Sequence, residues 1–276
     1  MEPPLERRVR FTLQYDGSVF QGWQTQPGAR TVQSEVEGAL SRLVDRPVRV
    51  VAAGRTDRGV HATGQVVSVV VPPKWSPEAL RRALNALLPA EVRVTAASEA
   101  APPFHARYSA VARGYVYRLG THPLAHSPFR RRWCWPLAEA LEQDARRGLA
   151  FDVAWLRQAA AALAGRRAFR AFAKAGQEER GDVCTVHRAA WQEWASGLQL
   201  VIVADRFLHH MVRYLVGTMV DIARGRRPGE DWVRLLDGDA DVTTSPPAPP
   251  EGLFLVRVYY DTTELEAEES FDEDLP

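Results

Sequence analysis

Lysine is almost absent from this chain: Lys74 and Lys174 stand alone among 35 basic residues. Cysteine is equally scarce, and Cys134 and Cys184 cannot build a disulfide framework. That scarcity suits a reducing compartment. No apolar run approaches the roughly 18 residues a membrane helix needs. The longest strand-like run, Val66 to Val71, is broken by Ser68. The first ten residues are charged and proline-containing, without the apolar core of a secretory signal. These absences point away from a secreted, membrane or fibrous protein and towards the cytoplasm. What is present is ordinary for a folded protein: 46% hydrophobic and 25% charged residues. The 276 residues suffice for roughly two domains at about 150 each.

The net charge of +1 conceals an asymmetry. Eight of the 34 acidic residues fall between Asp261 and Pro276, where there is no base, so the remaining body carries +9. Within that body, residues 101–147 hold eight arginines against three acids. Arginine preference fits codon bias. It fits phosphate recognition equally well, because the guanidinium fork grips oxyanions bidentately. A basic body with an acidic tail favours a polyanionic partner.

Hydrophobic periodicity gives the organisation. Val9, Phe11, Leu13 and Tyr15 alternate with polar residues, as in a half-buried strand, and Asp16-Gly17 ends it. A helix is predicted from about Thr31, with Val32, Val36, Ala39, Leu40 and Leu43 on one face. Strands are predicted over Val48–Ala53 and Gln65–Val71. Ser76-Pro77 opens a second helix as cap and first-turn proline, and Val92, Val94 and Ala96 mark a fourth strand. The order β-α-β-β-α-β is the ferredoxin-like unit.

The second half repeats that order. It has strands at Val111–Leu119, His187–Ala195, Leu198–Ala204 and Leu253–Tyr260, and helices at Val153–Ala164 and His209–Ala223. The expected fold is α+β: two ferredoxin-like halves joined into one mainly antiparallel sheet, with helices on one face and a basic central cleft. The expected domains are 1–104 and 105–262, with insertions at about 120–150 and 238–251 and an acidic tail from 263. A doubly wound parallel sheet would need helices between nearly all strands, and they are missing.

The most informative stretch is Gly54-Arg55-Thr56-Asp57-Arg58-Gly59-Val60-His61-Ala62, a glycine-bounded turn between strands. It reads as a surface Asx turn or as the seat of a catalytic carboxylate. The helix from Met211 to Ala223 is apolar nearly all round yet contains Arg213. A buried guanidinium calls for a carboxylate partner, and Asp57 is a candidate; otherwise the arginine snorkels to solvent. Tyr115 and Tyr117 share a strand face, and such aromatics serve as core or as a stacking surface for an extruded base. Phe104 to Tyr108, with Arg107, and residues 165–175 interleave bases with aromatics, a nucleic-acid signal.

No metal site is expected. His209 and His210 should diverge on a helix, and Cys184-x-x-His187 lacks a second ligand pair. Neither a P-loop nor a dinucleotide fingerprint is present. Residue chemistry alone leaves open a non-catalytic RNA-binding protein and an aspartate-dependent enzyme such as a nucleoside hydrolase.

Tyr15-Asp16-Gly17, Phe20-x-Gly22-Trp23-Gln24-x-Gln26, the Asp57 segment, Phe104 to Ala110, Phe207 to Gly217 and Glu251-Gly252-Leu253 together resemble the tRNA pseudouridine synthase A family. The matches run in family order from about residue 9 to 260. The resemblance implies isomerisation of uridine to pseudouridine at positions 38, 39 and/or 40 of the tRNA anticodon arm, by a homodimer, with neither metal nor organic cofactor. It implies that Asp57 is the catalytic aspartate, Arg213 its paired arginine and Tyr115 the tyrosine that stacks on the target uracil. It places Leu253 against the base, gives Arg55 a part in flipping, and sets Arg107, with neighbouring Phe104 and Tyr108, in an RNA-contacting segment. The acidic tail lies outside the family pattern.

Overall fold

The computed structural model describes residues 6–174, 181–265 and 275. Most of the acidic tail, 266–274 and 276, therefore lies outside the described residues. The fold is α+β, with mostly antiparallel strands. The chain divides into two compact units, one running to Val111 and resuming at Phe254, the other comprising Ala112–Leu253.

The first unit follows the predicted order: β1 (Arg7–Tyr15), α1 (Val32–Val44), β2 (Val51–Ala52), β3 (His61–Val71), α2 (Pro77–Leu87) and β4 (Val92–Glu99). Val9, Phe11 and Leu13 are fully buried while Arg8, Arg10, Thr12 and Gln14 between them are not, so the alternation in β1 is realised. β1 lies between β4 and β3, antiparallel to both. Thr31 caps α1 in a reciprocal capping box with Ser34, and the Ser76 side chain accepts from the Ala79 amide to start α2. The buried stripe of α1 ends on Val44 rather than Leu43, which is half-buried.

The second unit begins with β5 (Ala112–Gly120), then β6 (Trp135–Pro136), α3 (Ala138–Arg146), α4 (Val153–Ala161), β7 (Gly165–Ala168), β8 (Val183–Trp194), β9 (Gly197–Ala204), α5 (Met211–Ala223) and α6 (Glu230–Leu236). Its sheet runs β5-β9-β8-β7, antiparallel throughout, with the short β6 parallel to β5. The proline-rich insertion is a strap. Its Ala248 amide donates to the Arg213 carbonyl, and its Pro249 carbonyl accepts from the Tyr117 hydroxyl at 2.9 Å. At Gly217 a β-carbon would sit 2.2 Å from the Pro246 carbonyl oxygen, so the strap can lie on α5 only over a glycine.

An ion cluster ties α3 to the end of α5, where buried Asp144 meets buried Arg224 at 2.7 Å and exposed Arg226 at 2.9 Å. The last strand, β10 (Leu253–Tyr259), pairs in parallel with β3, Phe254 opposite His61 and Leu255 opposite Ala62. No helix among the described residues is long and apolar enough to cross a membrane.

Candidate active site

The Asp57 turn is fixed by its neighbours in the first unit. The Asp57 carbonyl accepts the Val60 amide at 3.1 Å, and Gly59 adopts φ +81°, a left-handed backbone that glycine tolerates. On one flank, the Trp23 amide donates to the Thr56 carbonyl at 3.0 Å. Trp23 in turn holds the start of α1, its carbonyl accepting the Gln33 amide. On the other flank, the Gly17 amide donates to His61 Nδ1 at 3.0 Å, and His61 stacks on Phe254 with ring centroids 4.8 Å apart. The carboxylate-bearing residue itself is half-buried, while Arg55 and Arg58 are exposed.

Beneath the turn lies a polar triad that sequence reasoning did not single out. The Tyr15 hydroxyl and Thr56 Oγ1 are 2.8 Å apart, and Gln65 Nε2 donates to the Gly54 carbonyl at 2.8 Å and to the Tyr15 hydroxyl at 3.4 Å. All three residues are buried. The available signal was Gln65, a polar residue leading the apolar half of β3, because a buried amide must find partners.

Burial pushes the Tyr15 phenol up to about 12, with the Thr56 and Gln65 hydrogen bonds partly opposing. A folded-state value above the unfolded one near 10 means stability is fully present below pH 10 and is lost as pH rises through about 12. Replacing Tyr15 by Phe should therefore flatten the decline in urea stability between pH 10 and 12. At pH 7 the same change should cost about 1–3 kcal/mol by stranding buried hydrogen-bonding groups. An unchanged alkaline profile in Tyr15→Phe would show that another group drives the decline.

In the second unit, Tyr115 is buried and meets Phe207 edge-on at 5.0 Å, while Tyr117 is fully buried with its hydroxyl on the Pro249 carbonyl. Tyr117 is thus a core residue. Arg213 is half-buried, and its Nε donates to the Ala248 carbonyl at 2.7 Å. The strap therefore meets part of the guanidinium's desolvation cost, a partner the helical pattern could not reveal. Leu253 is buried at the first position of β10.

His209 and His210 do not diverge as expected. They precede α5, His210 takes φ +64° as its left-handed N-cap, and the two rings lie 4.1 Å apart. The interleaved stretch near residue 170 also differs from expectation: Phe169 and Phe172 are core, Phe172 packing on Trp232, while Arg166, Arg170 and Lys174 are exposed. The segment from Phe104 to Tyr108 presents its last aromatic to solvent. Tyr108 is 77% exposed, stacked on His105, with the Arg107 guanidinium 5.8 Å from its ring centroid.

The family model described as tRNA pseudouridine synthase matches residues 12–109 and 159–261. Over 91% of its length the chain is 40% identical to the tRNA pseudouridine synthase A of Moorella thermoacetica, covering 99% of that protein. It is 39% identical to proteins of the same name from Chlorobium luteolum and Bacillus subtilis, across 92% of this chain and 96% and 99% of theirs. The chain belongs to the tRNA pseudouridine synthase family, a family of isomerases.

Proposed function

We propose that this protein converts uridine to pseudouridine at positions 38, 39 and/or 40 of the tRNA anticodon arm, working as a cytoplasmic homodimer. The observation that carries the catalytic part is the Asp57 turn, a half-buried carboxylate on a backbone clamped at Thr56 and at His61. The reaction breaks the bond between the ribose C1′ and uracil N1, turns the base, and joins C5 to C1′. The C5 proton departs and N1 gains one, so the product has the composition of the substrate and no external reagent enters the balance. Asp57 serves as the nucleophile, forming a covalent bond that is later broken, as carboxylates do at anomeric centres.

The target base leaves its stack at a cost of a few kcal/mol. Arg55 fills the vacated space, Tyr115 stacks on the extruded uracil, and Leu253 keeps the detached base in an apolar enclosure. Arg213 is the cationic partner of the catalytic aspartate. Arg107, Phe104 and Tyr108 contact the RNA, a role that suits an exposed aromatic beside a guanidinium.

Incubation with unmodified tRNA tests the reading, with the products mapped nucleotide by nucleotide. Pseudouridine at 38–40 is expected. Free uracil would instead identify a hydrolase, and tRNA retention without any product a binding protein.

A further inference from the structure

The first unit contains a cavity of about 280 Å³ whose lining includes Arg8, Arg46, Arg49 and Ser68. It lies towards the far end of β3. Ser68 is seven residues beyond His61, which at about 3.3 Å per residue puts it roughly 23 Å along the strand. Three guanidiniums around one concavity repel each other, and the described residues do little to relieve this. Arg46 pairs with Glu6 at 3.0 Å. Arg8 Nε is buried without a hydrogen-bond partner, and Arg49 has no ion pair among the described residues. Buried guanidinium nitrogens are costly unless an anion meets them. Arginine clusters of this kind suit tetrahedral oxyanions, which they grip through two parallel N–H bonds.

The cavity also adjoins the aromatic segment. Ser68 Oγ accepts the Ala106 amide at 3.2 Å, which ties the 104–108 segment to a residue of the lining; two residues further on, Tyr108 is exposed. A basic pocket tied to a segment that carries an arginine and an exposed aromatic suits a nucleic-acid backbone better than an acidic peptide.

We propose that the Arg8–Arg46–Arg49 pocket binds a backbone phosphate of the tRNA, remote from the nucleotide at Asp57. This rests on tRNA as the substrate, and its test needs no catalysis. The binding of unmodified tRNA is measured for the full-length protein between 50 and 300 mM salt, with Arg49→Gln, Arg8→Gln and the double variant. Arg82→Gln on α2 serves as a charge-matched control. Arg49 is exposed, so its variant stays informative even if Arg8→Gln folds poorly.

The pocket variants should weaken binding about tenfold at low salt. They should also make the log–log salt slope shallower by about one for each phosphate that is no longer neutralised, while Arg82→Gln changes neither. An unchanged affinity and slope in folded Arg49→Gln and Arg8→Gln would overturn the proposal. So would inorganic phosphate raising the thermal stability of the wild type, but not of the double variant, while tRNA affinity stays the same, because the pocket would then serve a free phosphate. Wild-type protein that binds tRNA through the pocket yet forms no pseudouridine would sink the catalytic reading and leave this one standing.

Discussion

Asp57→Asn should abolish product while leaving tRNA bound: the expected fall in the chemical step is at least about a thousandfold, equivalent to roughly 4 kcal/mol of lost transition-state stabilisation. The substitution is nearly isosteric, and the turn is held by backbone hydrogen bonds and by Thr56. The Val60 amide still has the residue-57 carbonyl, and the Trp23 amide still has the Thr56 carbonyl. An amide, however, has no negative charge and cannot serve as the nucleophile. The C5 proton leaves during the reaction, so tRNA labelled with tritium at uridine C5 reports the chemical step directly in a single-turnover experiment. Affinity for the same tRNA should stay within about threefold of wild type, since phosphate contacts dominate it. Deamidation would regenerate aspartate, so the mass of the variant must be verified. Wild-type turnover by a verified Asp57→Asn protein would remove the carboxylate from the mechanism.

How much of the fold and site was legible in the sequence depended on how local each determinant was. The alternation in β1, the start of α1 near Thr31 and the Ser76-Pro77 start of α2 depend on neighbours in the chain, and all three are seen in the structure. The predicted strand Val48–Ala53 shrinks to Val51–Ala52 for a reason local pattern cannot show. The Val48 amide donates to Ser41 Oγ and the Val50 amide to Glu37 Oε1, so side chains of α1 take donors that a ladder would otherwise use.

β3 starts four residues earlier than predicted because its first residues pair with β10, which lies almost two hundred positions further along the chain. Gly64 marks that approach, since a β-carbon there would lie 2.0 Å from the Val256 carbonyl oxygen. The Asp57 segment stood out because its residues are contiguous. The Tyr15–Thr56–Gln65 triad did not, because its members come from β1, the turn and β3 and meet only in three dimensions.

Gly17→Ala should destabilise the protein by about 3 kcal/mol and slow pseudouridine formation at least tenfold, although it adds a single methyl group. At this position the added carbon would lie 2.0 Å from the Val60 carbonyl oxygen, 2.5 Å from the Val60 carbonyl carbon and 3.0 Å from the Gly59 carbonyl carbon. All three are backbone atoms, so no rotamer change can relieve the clash and the two loops must separate. Separation lengthens the bond from the Gly17 amide to His61 Nδ1 and drags on the residues that close the Asp57 turn.

Gly28→Ala is the matched comparison. Gly28 has φ +71°, so alanine there incurs a backbone cost of about 1–2 kcal/mol, but a β-carbon would meet nothing within 4 Å. The same chemical change thus tests conformational strain at one site and close packing at the other. Urea unfolding and single-turnover rates on both variants separate the two effects. Gly28→Ala should lose some stability and keep its rate, whereas Gly17→Ala should lose both. If Gly17→Ala were as stable and active as wild type, the 16–17 loop would not set the Asp57 turn, and the clamp would reduce to Trp23 and Thr56.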